Sequence, residues 1–280
     1  MINQHSGGIN LIMPMGGSGS RFAERGFELP KPLIPINNKP FFYWAAESIR
    51  KFVVLQSITF VVLNEHIEKF GIDREIKKFY PDANICILSH VLPGAVMTCL
   101  EGVKAVTNSD PIVFNDCDHI FICKSFYSFC EKISRERIVR KDEAQAETLL
   151  LNQHFVSGEV GASWAGLDGA LLTFESADPK FSFLQLDNFG NVTRTVEKEA
   201  VSNQAICGAY YFKNRGIFEL AANQYLKECT YKEFFISGVY NVMVNSGCVI
   251  KSFMVDMHVP FGTPEEYDAA LKSSAFEVFL

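Results

Sequence analysis

An alternation of strand and helix patterns through the first half of the chain constrains the fold more than any other feature. Ile9–Met15 is a short apolar run ending in glycine-rich sequence, the pattern of a buried strand feeding a loop. Helically spaced aromatic and aliphatic residues follow over Pro40–Phe52, then a β-branched strand at Ser57–Leu63. An amphipathic helix is predicted over His66–Tyr80, a strand at Asn84–Leu88, a helix over Ala95–Val106 and a strand at Pro111–Asn115. Strands that are apolar throughout and joined by helices predict a parallel sheet covered on both faces.

Strand patterns resume at Gly169–Phe174, Phe183–Leu186, Val192–Val196 and Ile206–Phe212, with turn-forming residues at Asp187–Asn191. Helices are predicted over Asn214–Leu226 and Phe234–Asn245, a strand over Cys248–Val255, and a helix over Thr263–Lys272 that opens Thr-Pro-Glu-Glu. Between the halves, Ser134–Ser163 is charged and polar and reads as an inserted surface helix or loop that covers the site or mediates self-association, two roles the sequence leaves open. The expectation is one domain over 1–280, with halves at about 9–133 and 164–272 sharing a continuous sheet.

Composition narrows the partners. A chain of 280 residues buries enough surface to need no disulfide or metal staple, and 48% apolar against 21% charged residues excludes a disordered chain. The 26 basic and 32 acidic residues give a formal charge of −6, which argues against nucleic-acid binding but not against a small anion held by local cations. No apolar run approaches the ~20 residues of a membrane span, and Ile9–Met15 is too short and wrongly flanked for a signal peptide. Eight cysteines without a CxxC pair read as reduced core thiols. A cytoplasmic protein without a membrane partner is expected.

Chemistry concentrates in LIMPMGGSGSRFAERGFELPKPLIPI, Leu11–Ile36. Gly16, Gly17 and Gly19 form a loop free of large side chains, in which backbone N–H groups can cradle phosphate oxygens. Arg21 and Lys31 add two cations, the arrangement a phosphorus centre in transfer requires. A P-loop is excluded, because no Lys stands at the required place. A dinucleotide fingerprint fits poorly, because Phe22 replaces its third glycine. A bare structural turn would not call for Arg21 and Pro30-Lys31-Pro32.

Gly-Gly-Ser-Gly-Ser-Arg-Phe followed by Pro-Lys-Pro-Leu-Ile-Pro-Ile resembles the signature of sugar-phosphate nucleotidylyltransferases. The resemblance continues in order through Asn115-Asp116-Cys117-Asp118-His119-Ile120-Phe121, Glu197-Lys198, Cys207-Gly208-Ala209-Tyr210-Tyr211-Phe212 and Gly262-Thr263-Pro264-Glu265-Glu266. It implies a Rossmann-like α/β fold of glycosyltransferase-A type, a mixed, mainly parallel sheet flanked by helices. The implied reaction is transfer of a nucleotidyl group from an NTP to a phosphorylated metabolite, with Mg²⁺ as cofactor and pyrophosphate leaving.

Carried over by position, Met15, Gly16, Gly17, Ser18, Gly19 and Ser20 would hold the nucleotide, with Pro93 and Gly94 beside its base and sugar. Arg21 and Lys31 would stabilise the phosphates as catalytic residues. Asp118 would bind Mg²⁺, with Asp116 the alternative ligand and otherwise a substrate contact. Glu197, Lys198 and Gly208 would approach the phosphorylated substrate. Two departures stand out. Ser89 and His90 occupy the place of a base-reading Gln, and Pro260 that of a second metal-binding Asp. Asp256, in a shifted register, is the candidate second metal ligand, and His258 is read as structural. Ser182-Phe183 is a candidate acceptor-selecting element, with plain sheet packing its alternative. The acceptor implied is a sugar 1-phosphate for surface (capsule) polysaccharide, with CTP-dependent activation of a non-sugar phosphate the alternative. Asp116-Cys117-Asp118 also reads as the D-x-D motif of a glycosyltransferase, which would not need the N-terminal phosphate cradle. A non-catalytic nucleotide-binding regulatory subunit is the remaining alternative, and homo-oligomer formation is left open.

Overall fold

The computed structural model describes residues 7–147 and 166–280. In chain order its elements are β1 (Ile9–Met15), α1 (Ser20–Glu24), the short pair β2 (Pro35–Ile36) and β3 (Lys39–Pro40), α2 (Phe41–Arg50), β4 (Leu55–Leu63), α3 (Asn64–Phe70), α4 (Ile72–Phe79), β5 (Asn84–Leu88), α5 (Ala95–Gly102), β6 (Ile112–Asn115), β7 (His119–Ile122) and α6 (Lys124–Glu147). The second half adds β8 (Gly169–Glu175), β9 (Ser182–Leu186), β10 (Val192–Glu197), β11 (Gln204–Phe212), α7 (Arg215–Glu228), α8 (Ile236–Asn245), β12 (Ile250–Met254), β13 (Met257–Pro260) and α9 (Pro264–Ala270).

The strands of both halves join one mixed nine-stranded sheet in the order β10-β9-β11-β6-β1-β4-β5, with β8 paired to β11 and β12. The pairs β6–β1, β1–β4 and β4–β5 are parallel, as their apolar runs predict. β1 is central because both its faces are apolar: Leu11, Met13 and Met15 enter one core cluster and Ile12 the other. Helices α2, α4 and α6 cover the first face, and α5, α7 and α8 the second. A third cluster, including Phe22, Phe41, Trp44, Phe261 and Phe276, packs behind the glycine loop and joins it to the C-terminal segment.

Three details differ from the sequence reading. The helix expected over His66–Tyr80 is two helices, α3 and α4, because Gly71 takes a left-handed conformation (φ 63°) that ends one and starts the other. The polar segment from Ser134 begins inside α6, a continuous helix from Lys124 to Glu147. Arg137 pins that helix to the turn before β6, with 2.9 Å bonds to Asp110 Oδ1 and Ser109 O. The remainder of the expected insertion, 148–163, lies outside the described residues. The small antiparallel ladder β7–β13 has no strong sequence pattern, yet it positions the site: it pairs Pro260 with His119 and brings Phe261 N–H to the Asp118 carbonyl at 2.8 Å.

Candidate active site

A cleft opens at the C-terminal ends of the parallel strands β1 and β6, the place where open α/β sheets bind ligands. It comprises three adjoining lobes. The glycine-loop lobe, about 310 Å³, is walled by Met15, Gly17, Ser18, Gly19, Ser20 and Arg21, with Lys31 opposite. A second lobe of about 340 Å³ lies between Gly16–Ser18 and the segment Val91–Ala95, so Pro93 and Gly94 are on its wall. The third, about 400 Å³, gathers Asp116, Asp118, Glu197, Lys198 and Gly208 from the second half and the end of β6, and shares Arg21 with the first. One continuous cleft thus holds most of the sequence-predicted site residues; Ser89, His90, Phe183 and Asp256 line none of its lobes, Phe183 because it is fully buried in the sheet packing. Asp256 stands on the far side of the β7–β13 ladder, where its Oδ2 accepts the Lys124 N–H at 2.7 Å at the start of α6, and it lines none of the three lobes.

Lys31 opens a tight 3₁₀ turn that Pro30 and Pro32 hold in shape, and its ammonium donates to Asp118 Oδ2 at 2.5 Å. Burial alone would lower the Lys31 pKa, but Asp118 and the neighbouring Asp116 outweigh it and raise the ammonium above its ordinary value. In the same way burial pushes Asp118 up, while Lys31 and His119 pull it down further, so its carboxyl sits below the ordinary range. Asp116 has no such hydrogen bond. Burial and the adjacent Asp118 push it up to about 7, against the pull of Lys31. Its carboxylate makes no hydrogen bond or ion pair among the described residues. Two half-buried carboxylates, one of them unpartnered, are a donor set that fits Mg²⁺. That ion is usually held by one or two carboxylates and completes its shell with phosphate oxygens and water. Among the described residues no cluster of three or more His, Cys, Asp or Glu side chains could hold a metal unaided.

Two glycines make this geometry possible. A Cβ on Gly208, at a bulge in β11 with φ 96°, would sit 2.7 Å from Asp116 Oδ2. A Cβ on Gly262 would sit 2.4 Å from Asp118 Oδ2. The Gly-Thr-Pro-Glu segment therefore forms a wall of the pocket beside Asp118. Its Glu266 closes a capping box with Thr263 and starts α9.

In the third lobe, Glu197 on β10 lies opposite Ser182 on β9 and accepts its hydroxyl at 2.7 Å, while Ser237 from α8 donates to the other carboxylate oxygen. Burial raises the Glu197 pKa, and the two serine hydroxyls and Lys198 oppose that rise. Lys198 adopts a left-handed backbone (φ 56°), donates its N–H to Phe181 O at 3.1 Å, and places its ammonium 5.4 Å from the centre of the Phe235 ring.

Three side chains in the cleft, Cys117, His119 and His258, are chemically quiet. Burial first, and the nearby carboxylates, push the Cys117 thiol up to about 12, so it is no nucleophile at neutral pH. Burial lowers His119 to about 4 and His258 to about 3, so both imidazoles are neutral at pH 7, each with a single ring N–H. His119 Nε2 lies 3.1 Å from Asn115 Oδ1, whose amide nitrogen donates to Ala45 O, which fixes the proton on Nε2.

Sequence reasoning missed Lys180 and Glu233. Lys180 lines the third lobe and pairs with Glu266 Oε1 at 3.1 Å and Asp178 Oδ2 at 3.2 Å. Glu233 is on the wall of all three lobes. Both are exposed loop residues outside any motif, and only the tertiary fold brings them in.

The sheet order and the strand-end cleft are those of solved nucleotidyltransferase structures. Solved structures of that fold superpose over nearly the whole chain. A nucleoside-diphosphate-sugar pyrophosphorylase from Vibrio cholerae RC9 matches with a TM-score of 0.72 at 19% identity, over 94% of this chain and 100% of that one. An inositol-1-phosphate CTP transferase from T. maritima matches with a TM-score of 0.65 at 11% identity, over 97% and 94%. A UDP-glucose pyrophosphorylase complexed with UDP-glucose matches with a TM-score of 0.65 at 17% identity, over 94% and 96%. At these identities the likeness is one of fold. No family model and no curated protein matches the sequence. Among the described residues, no helix is long and apolar enough to cross a membrane.

Proposed function

We propose that this chain is an enzyme, a nucleotidylyltransferase that moves a nucleotidyl group from an NTP to a phosphorylated metabolite and releases pyrophosphate. One observation carries the reading: the glycine loop with Arg21 and Lys31 faces the Asp116–Asp118 pair across a single cleft, and Lys31 reaches Asp118 at 2.5 Å. Phosphate cradle, cations and metal-side carboxylates thus converge where an α-phosphate would be attacked.

The acceptor is a phosphate anion at neutral pH, so it needs no general base, consistent with the quiet Cys117, His119 and His258. The chain's own work is positioning and charge neutralisation. Backbone donors of Gly17–Ser20 hold the leaving phosphates, and Arg21, exposed and shared by two lobes, bridges donor and acceptor. Lys31 stabilises the developing charge on the α-phosphate. Asp118 and Asp116 would hold Mg²⁺, which when bound supplies Lewis-acid stabilisation of the phosphate oxygens. Glu197 and Lys198 bind the acceptor in the third lobe.

A sugar 1-phosphate is the proposed acceptor, and surface polysaccharide assembly the proposed use of the product. The support is the likeness of the Arg21–Ile36 segment to enzymes of that biosynthesis, together with a fold shared with sugar-nucleotide pyrophosphorylases. The test is pyrophosphate release from each of four NTPs with Mg²⁺ against sugar, polyol and amino-acid phosphates. Release with a sugar 1-phosphate is expected. CTP with a polyol phosphate alone would move the reading to a non-sugar cytidylyltransferase. NTP binding without release from any pair would overturn it in favour of a regulatory protein.

A further inference from the structure

Glu233 precedes α8 on a segment whose backbone is fixed against the second lobe. Phe234 N–H donates to Pro93 O at 3.2 Å, and Val96 N–H donates to Phe234 O at 3.1 Å. The approach is so close that a Cβ on Gly94 would stand 2.4 Å from Phe234 N. Glu233 is thereby held at the place where all three lobes meet. Its carboxylate is exposed and has no hydrogen bond or ion pair among the described residues.

The order of groups in a nucleotide is covalent: base, ribose, phosphates. With the phosphates in the glycine-loop lobe beside Arg21 and Lys31, and the base in the lobe walled by Val91–Gly94, the ribose must cross the boundary between them. Pro14, Gly17, Ser18 and Glu233 are common to both walls, and Glu233 is the one charged residue among them. A carboxylate accepts hydrogen bonds and cannot donate them. It repels phosphate and suits hydroxyls, and a ribose cis-diol offers two O–H donors to its two oxygens. The hydroxyls of an acceptor in the third lobe already have Glu197 to meet them.

We propose that Glu233 is a specificity-determining residue that accepts the ribose hydroxyls of the nucleotide and selects ribonucleoside triphosphates over their 2′-deoxy counterparts. The assignment rests on the nucleotidyltransferase reading and deepens it by naming the donor class.

The test is equilibrium binding of each NTP and its dNTP with Mg²⁺, alongside pyrophosphate release for the pair that turns over, in wild type, Glu233→Ala and Glu233→Gln. Wild type is expected to favour the ribonucleotide at least about tenfold, the weight of one hydrogen bond to a charged group. Glu233→Ala should bring the ratio close to one through the nucleotide KM, with the acceptor KM unmoved. Glu233→Gln, which keeps one acceptor oxygen, should fall between. A wild-type ratio near one, or an alanine variant that keeps the wild-type ratio, overturns the proposal. So does a change confined to the acceptor KM, which would transfer Glu233 to an acceptor hydroxyl or amine. Loss of every turnover reaction would strike the enzymatic reading alone, because the binding ratio is read without chemistry.

Discussion

The two sides of the cleft are built by different means. The glycine-loop side comes from one contiguous segment, β1 through the Lys31 turn, and presents backbone donors and two cations from an apolar foundation of Met15 and Phe22. The side proposed for the acceptor is assembled from β9, β10, β11, the turn before α8 and the β7–β13 ladder, residues far apart in sequence. It is held by side-chain hydrogen bonds, such as those of Ser182 and Ser237 to Glu197. The first construction suits a fixed chemical task, because backbone geometry does not change when side chains do. The second can change its ligand by exchanging a few side chains while the sheet stays intact.

That contrast can be tested by substitution. The largest effect is expected at Lys31: Lys31→Ala should lower turnover by ~100-fold or more with every acceptor alike, as loss of one preorganised charge stabiliser typically does. Near-normal pyrophosphate release by this variant would sink the role assigned to the loop. Next comes Gly262→Ala, whose new Cβ would stand 2.4 Å from Asp118 Oδ2. The carboxylate must move, so turnover should fall by roughly tenfold or more and the Mg²⁺ requirement should shift to higher concentration. A Mg²⁺ titration matching wild type would show that the wall is looser than drawn.

On the acceptor side, Ser182→Ala should raise the acceptor KM by about tenfold, the loss of one hydrogen bond to a charged group, and leave the NTP KM in place. Threonine at the same position should restore it. Equal changes in both KM values would erase the distinction between the two sides.

The smallest effect concerns stability. Burial raises the Glu197 pKa from its ordinary 4.5, so the folded protein binds this proton more tightly than the unfolded chain. Its contribution to stability is therefore fully present below pH 4.5 and is lost as pH rises through the higher folded value. Glu197→Gln should flatten that part of a Tm-against-pH profile, and an unchanged slope would show that the serine hydroxyls compensate fully.

What the sequence disclosed follows the same division. Ile9–Met15 and Asn84–Leu88 are strands over the predicted spans: the first is apolar on both faces and runs through the sheet interior, while the second pairs with β4 alone at the sheet's edge, half exposed. The glycine loop, Lys31 and the Asp116–Asp118 segment were legible because each lies in a contiguous motif. The break at Gly71 was hidden, since the apolar periodicity of His66–Tyr80 continues across it. Asp256, the candidate second metal ligand in place of the carboxylate that Pro260 replaces, is instead used to start α6. Lys180 and Glu233 carry no pattern at all. Their positions depend on how loops from separate strands meet, which local periodicity does not encode.

The pairing of β11 with β6 has a consequence for how the chain can be divided. β11 is the strand that covers the outer edge of β6 and joins the parallel block to the rest of the sheet. A fragment ending before residue 166 would retain β1, β4 and β5 but leave Ile112–Asn115, wholly buried in the intact protein, as a bare apolar edge. Such an edge invites pairing with another chain. Severed from its second half, the half that carries the glycine loop would be a template for aggregation, so β11 and the strands beyond it also act as the cap on that edge.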